Sequence, residues 1–399
     1  MRRLLADREF GFYFAARQCT VAAFAIESAA IFWQVYVLRH SAFDLGLIGL
    51  LLFVPALTLA LPAGYVADRF DRKTVSAIGS VAEMLGLVLF VVLALLHTRA
   101  IAAYFSAVVL IGIAHTAGVA AKRSLLADIV RPGIFVRATA LSQSTYQVIV
   151  VLAPALAGLL ISANIVFAFA LAALLYGAGA LSFALLHPNA PQHTERPTWR
   201  SSLEGIRYIW RQKVVLGAIS LDLFAVLFGG AAALLPIYAT QILHVGPIGF
   251  GALRAASGVG AAVVAAGIAG RPLRNRLGML LYWCVAGFGV ATIVFGVSKL
   301  FWLSLLALAI AGGFDMVSMV IRNVVVQLGT PGEMRGRVTS VENVFIEASN
   351  ELGAFESGTV AAWLGAEASV VLGGVGTLVV IALWAWWFPH LRRFDAPSA

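Results

Sequence analysis

Long apolar stretches alternate with short polar breaks from one end of this chain to the other. Twelve are legible, near residues 10–38, 44–66, 74–97, 100–122, 138–162 and 164–186, then 214–243, 248–269, 277–297, 299–328, 338–363 and 367–388. A helix needs roughly 20 apolar residues to cross hydrocarbon, and each stretch meets that length. The pattern predicts an all-α integral membrane protein with twelve transmembrane helices. The first stretch follows a basic N-terminus and is too long for the apolar region of a cleavable signal peptide.

Composition says the same thing from another side. Of the 399 residues 61% are hydrophobic and 12% charged, where a soluble domain is nearer a quarter charged. Lipid is therefore the expected solvent. The net charge of +9 raises nucleic acid as a partner, but its distribution argues against that reading. Lys and Arg crowd alternate loops, among them Arg69, Arg72 and Lys73; Lys122, Arg123, Arg131 and Arg137; Arg271, Arg274 and Arg276; and Arg392 and Arg393. The intervening loops hold Arg39, Arg99 and Lys299. That asymmetry is the positive-inside rule, and it places both termini in the cytoplasm. Cys19 and Cys284 lie inside predicted spans and read as inert core thiols.

Two segments break the apolar rhythm. Between the second and third stretches, five charges fall within the six residues from Asp68 to Lys73, which forces a tight turn at a membrane surface. Midway, Pro188, Pro191 and Pro197 end a first half. Trp199, Leu203, Ile206 and Trp210 then recur at helical spacing, with Arg200, Glu204, Arg207 and Arg211 opposite, as in an amphipathic helix lying in the membrane interface, the alternative being a plain soluble linker helix. The expected organisation is a first bundle at 1–190, a linker at 191–213 and a second bundle at 214–399. The halves repeat at a shift of about 200 positions: Arg123, Pro132-Gly133 and Arg137 recur as Arg322, Pro331-Gly332 and Arg337. The charged turn recurs as Gly267 to Arg276 without its Asp.

The turn's spacing, Gly64-x-x-x-Asp68-Arg69-x-x-Arg72-Lys73, resembles the signature loop between helices 2 and 3 of the major facilitator superfamily. Asp71 stands where that family usually has Gly. The resemblance implies two pseudo-symmetric six-helix bundles rocking about a central site by alternating access. It also implies a cytoplasmic latch in which Asp68 docks on the N-terminus of helix 11 near Arg337, with Gly64, Arg69, Arg72 and Asp128 in the gate. A helix N-terminus favours a carboxylate. The segment from Gly332 to Gly358, with Arg335, Glu342, Asn350, Glu351 and Glu356, and the run Val370 to Thr377 resemble the enterobactin (catecholate siderophore) exporter branch. What this implies is proton-coupled export of a small amphipathic molecule from a bacterial inner membrane. The alternative is a multidrug, sugar or lysophospholipid transporter of the same superfamily. A membrane sensor or scaffold is the remote alternative, and no extra soluble domain supports it.

Ionisable groups inside spans are functional candidates by default. Glu27 lies past the middle of helix 1, where low dielectric favours a protonated carboxyl. It is the first proton-coupling candidate, followed by Asp315, Glu347 and Asp222; for Glu27 the bland alternative is a structural hydrogen bond. Gln143 and Gln147 on helix 5 correspond to Asn343 and Glu347 on helix 11, each pair one turn apart on one helix face. With Tyr146, Asn350 and Glu351 they are expected to line the substrate pathway, unless they only bond helix to helix. Arg254 either pairs with Glu356 or binds an anionic substrate. His115, a further substrate-pathway candidate, either pairs with Asp222 or Asp315 or is structural, and Glu83 is expected to form a structural network with Arg17. Trp384, Trp386 and Trp387 read as an interfacial belt. No phosphate-cradling motif and no nucleophile–base pair is present, so neither an ATPase nor any other enzyme is expected, and no cofactor or metal. The expected partners are a small-molecule substrate, the proton gradient and the lipid bilayer, with the chain acting as a monomer.

Overall fold

The structure is a computed structural model that describes residues 7–130, 132–187, 199–270 and 276–395. The prolines at 188, 191 and 197 and the basic turn at Arg271 and Arg274 lie outside the described residues. Every regular element among the described residues is helical: α1 (Arg8–Arg39), α2 (Ala42–Arg69), α3 (Arg72–Leu95), α4 (Ile101–Ile129), α5 (Pro132–Ala163), α6 (Ile165–Ala184), α7 (Lys213–Phe228, continued by shorter turns to Ile242), α8 (Gly246–Gly270), α9 (Leu277–Val297), α10 (Phe301–Gly329), α11 (Gly332–Leu364) and α12 (Ala366–Trp387). A linker helix, Trp199–Arg211, precedes α7.

Eleven of these helices are long and apolar enough to cross a membrane. The exception is α11, which at 33 residues is long enough but carries Glu342, Asn343, Glu347, Asn350, Glu351 and Glu356. Large apolar side chains point outward, Trp302 and Trp363 among them at 79% and 80% exposed, which only lipid would tolerate on this scale. Trp386 and Trp387 are exposed as expected of a belt. Trp384 is not: it is buried, its indole N–H donates to Ser220 Oγ at 3.0 Å, and its carbonyl accepts from the Tyr282 hydroxyl.

Asp71 explains its own departure from the family's Gly. It caps α3, accepting from the Lys73 N–H at 3.3 Å and from the Thr74 hydroxyl at 2.9 Å, which is what a helix start asks of an Asp. The helix α4 runs on to Ile129, so Lys122 and Arg123, read from the sequence as loop cations, lie on its last turns.

The chain divides into two compact units, Met1–Leu38 with Leu51–Pro197, and Arg39–Leu50 with Thr198–Ala399. In the first, α3 packs against α4 and α6. Gly79 and Gly118 let the α3 and α4 backbones touch; a Cβ on Gly79 would lie 3.0 Å from the Gly118 Cα. Lys73 Nζ donates to the Leu186 carbonyl at the end of α6. In the second unit, α9 packs against α10 and α12, and α8 against α10. The residues Arg39–Leu50 belong there because Gly46 meets Gly358 of α11 without side chains between them.

Two features of the second unit depart from expectation. The first is the linker helix. Ile209 is buried in a cluster with Val215, Ile219, Val326, Val338 and Val341, and Gly205 sits against the Arg337 backbone. The Tyr208 hydroxyl donates to the Gly329 carbonyl at 2.6 Å, and Glu204 pairs with Arg337. The helix thus spends Ile206 and Ile209 on protein rather than lipid, while Trp210 stays exposed. The second feature is α7, predicted as one continuous span. It stops at Gly229-Gly230, resumes as a 3-10 turn (Ala231–Leu234), a short α-helical piece (Leu235–Ile237) and a π turn (Tyr238–Ile242). Two adjacent glycines weaken the helix, and Pro236 removes a backbone donor a few residues on. Glycines of the neighbours seat the break: a Cβ on Gly373 would lie 2.1 Å from the Phe228 carbonyl oxygen, and one on Gly230 would lie 2.4 Å from that of Gly353.

Candidate functional site

Charge buried in an apolar bundle is costly unless it is paired. Among the described residues, each unit holds buried paired charges where the sequence suggested isolated candidates.

In the first unit the centre is Glu83 on α3, 1% exposed. Its Oε1 lies 2.9 Å from His115 Nδ1 and its Oε2 lies 2.5 Å from Lys122 Nζ, both on α4. His115 therefore pairs with Glu83, not with Asp222 or Asp315 as expected. Phe24 of α1 stacks on the imidazole, with ring centroids 4.8 Å apart. Glu27, also on α1, is 3% exposed and within electrostatic reach of Glu83 and Lys122. Tyr176 of α6 is buried within electrostatic reach of both carboxyls, and Lys122 Nζ lies 5.6 Å from the centre of its ring. Arg17, expected beside Glu83, instead donates to Gln143 Oε1 at 3.4 Å. The neighbouring pathway candidates on α5 differ: Tyr146 is exposed and Gln147 half-buried.

The predicted gate residues are only partly visible. The side chain of Asp68 lies outside the described residues. A Cβ on Gly64 would meet nothing within 4 Å. Arg69 folds back on Tyr65, bonding its hydroxyl. Arg72 holds Asp128 of α4 with both carboxylate oxygens near 3 Å, a largely buried pair that ties the start of α3 to the end of α4.

In the second unit Arg322 of α10 is 4% exposed and bridges two helices. Its Nη1 pairs with Asp222 of α7, and its Nε donates to Glu342 Oε1 of α11 at 3.0 Å. Asp222 is thereby an ion-pair partner rather than a free carboxyl. The repeat preserved the residue type but not its setting, since Arg123 is exposed and Arg322 buried. Asp222 also lines a small cleft with Phe288, Asp315 and Ser318. Asp315 is an exposed residue of α10 on the wall of that cleft.

The polar face of α11 lies nearby in sequence. Asn343 and Glu347 are half-buried, Asn350 is exposed and donates to the Ile346 carbonyl, and Glu351 is half-buried. Glu351 is within electrostatic reach of Glu347 and of Arg254 on α8. For Arg254 the sequence leaves two readings, a pair with Glu356 or an anionic substrate. Glu356 instead accepts from the Ser357 hydroxyl at 3.2 Å, and Arg254 answers Glu351. Arg337, placed in the gate from the sequence, pairs with Glu204 of the linker helix. Sequence reasoning missed Lys122 and Arg322 as buried counter-ions. The available signal was that each lies within a few turns of a span's end, on a helix facing another with an unmatched carboxylate.

The model of the Major Facilitator Superfamily matches residues 18–354 of this chain. The enterobactin exporter EntS of Citrobacter koseri is 25% identical over 394 residues, covering 96% of this chain and 92% of the relative. EntS from Escherichia coli O1:K1 is 26% identical over 392 residues, with the same coverage. Among solved structures, the POT family transporter PepTSo superposes with a TM-score of 0.75 at 12% identity, covering 98% of this chain and 99% of that one.

Proposed function

We propose that this chain, which belongs to the major facilitator superfamily, exports a small amphipathic molecule, a siderophore of catecholate type or a compound of like chemistry. It is a multi-pass membrane protein with the fold of membrane transporters. In the proposal it sits in a bacterial inner membrane with both termini cytoplasmic, and the proton gradient drives export by alternating access. The Gly64–Lys73 turn, with Asp68, serves as the cytoplasmic latch.

One observation carries the reading: Arg254 facing the Glu347–Glu351 side of α11, in a chain otherwise starved of charge and similar end to end to enterobactin exporters. A guanidinium inside a span offers a fixed positive charge with a fork of donors, suited to an acidic or catechol oxygen. Glu351 competes for the same cation, so cargo and carboxylate exclude one another. Protons supply the energy, with Glu27 as first carrier and Asp315 and Glu347 next; Asp222 is engaged by Arg322.

The test compares metabolites in the medium of deletion and parent strains under iron limitation. A catecholate that accumulates inside the deletion strain and falls outside supports the reading. Unchanged catecholates, with a different compound retained, assign another cargo.

A further inference from the structure

We propose that Glu27 and Glu83 share one mobile proton, which reaches water through His115, with Lys122 as their fixed counter-ion. The proposal rests on the proton-coupled reading above and says where in the fold that proton resides.

Charge balance is the first argument. The titratable and charged groups facing one another across α1, α3, α4 and α6 are Glu27, Glu83, His115, Lys122 and Tyr176. Two carboxylates face one permanent cation. With His115 neutral and both carboxyls ionised, the cluster would hold one uncompensated negative charge in a dry interior, which is strongly unfavourable. One extra proton removes that charge. Glu27, Glu83 and His115 are each a seat that leaves the cluster neutral. On Glu27 it is sealed from water, since Glu27 is 3% exposed and its Oε2 has no hydrogen-bond partner. On His115 it lies at the edge, because that side chain is 33% exposed where Glu83 is 1%.

Connectivity is the second argument. Glu83 Oε1 lies 2.9 Å from His115 Nδ1. Tyr176 lies within electrostatic reach of both Glu83 and Glu27, and its hydroxyl can take a proton from one while giving its own to the other. The route is His115, Glu83, Tyr176, Glu27, and a proton entering at the imidazole leaves the last carboxyl protonated and every other group at its starting charge, with the imidazole in its other tautomer. Lys122 stays charged throughout, held against Glu83 Oε2 and the Tyr176 ring.

The experiment reads the infrared C=O band of protonated carboxyls in the full chain, in lipid nanodiscs, as a function of pH. Glu27→Gln should remove one band. Glu83→Gln should remove the same band, because Glu27 then becomes the sole partner of Lys122 and ionises. Lys122→Met should add a second band, a gain that a misfolded protein would not produce. His115→Gln should keep the band and slow its response to a pH jump by about tenfold or more. A band that survives either Glu27→Gln or Glu83→Gln, or no gain in Lys122→Met, overturns the shared proton. The coupling itself is tested separately, in vesicles carrying a luminal pH dye with enterobactin as probe. Transport indifferent to ΔpH, with bands behaving as above, defeats proton coupling and leaves the site standing. Transport driven by ΔpH, with bands unmoved, defeats the site alone.

Discussion

Removing the guanidinium that joins α7, α10 and α11 should be among the most damaging single changes in the second unit. Arg322, Asp222 and Glu342 are 4%, 5% and 3% exposed, and each carboxylate is matched to a different guanidinium nitrogen. Arg322→Met keeps the apolar stem of the side chain while leaving two buried carboxyls without a cation. Breaking a buried pair from one side costs about 3–5 kcal/mol. At about 2–4 °C per kcal/mol for large domains, that is a fall of about 10 °C in the unfolding midpoint. The loss comes from stranded charge and not from lost attraction. The triple change Asp222→Asn, Arg322→Met, Glu342→Gln should therefore recover most of it. Thermal unfolding in detergent, followed by the monodisperse fraction remaining after heating, measures both. A single variant within about 1 kcal/mol of the parent would mean the site is wet, as at a surface. A triple variant as weak as the single one would mean that packing, not charge, holds these helices.

Three further outcomes are expected. Gly373→Val places a side chain against the Phe228 carbonyl, 2.1 Å from an ideal Cβ, and should destabilise by about 1–3 kcal/mol; Gly332→Ala, with open space around its Cβ, should stay within about 0.5 kcal/mol in the same thermal assay. Ile209→Ala should loosen the linker helix by about 2–4 kcal/mol and expose it to proteolysis, while Glu204→Ala, which removes a largely exposed ion pair, should change cleavage little. Glu27→Gln should abolish accumulation driven by a pH gradient in reconstituted vesicles yet leave downhill exchange intact, and a variant that still pumps would move the proton to Asp315 or Glu347.

The fold was legible because lipid imposes a coarse demand that composition alone can satisfy, helix after helix. The errors fall where polar residues enter the spans. The reading ended α4 near Lys122 because a cation usually marks a membrane surface; the cation is instead paired with Glu83, and the helix continues to Ile129. Three clustered tryptophans look alike in sequence, but Trp384 is buried, with its indole N–H on Ser220 and its ring against Phe224 of α7, while Trp386 and Trp387 stay exposed. The candidates Glu27 and Arg254 were found by their isolation in sequence. Their partners were not, because a partner on another helix has no fixed spacing. The break in α7 had a signal in Gly229-Gly230 and Pro236, which hydropathy does not register.

A 3-10 turn takes about 3.0 residues per revolution and climbs about 2.0 Å per residue, against about 3.6 residues and 1.5 Å in an α-helix. Winding Ala231–Leu234 that way over-rotates α7 and lengthens it by about 2 Å. The π turn at Tyr238–Ile242 is wound more loosely and returns rotation and length. The span thus contains two screw dislocations of opposite hand, with Leu235–Ile237 between them. Moving both along the helix together would swivel that middle segment on its axis while Lys213 and Ile242 keep their phase. Side chains at the centre of the span can be re-aimed in this way without turning either of its ends.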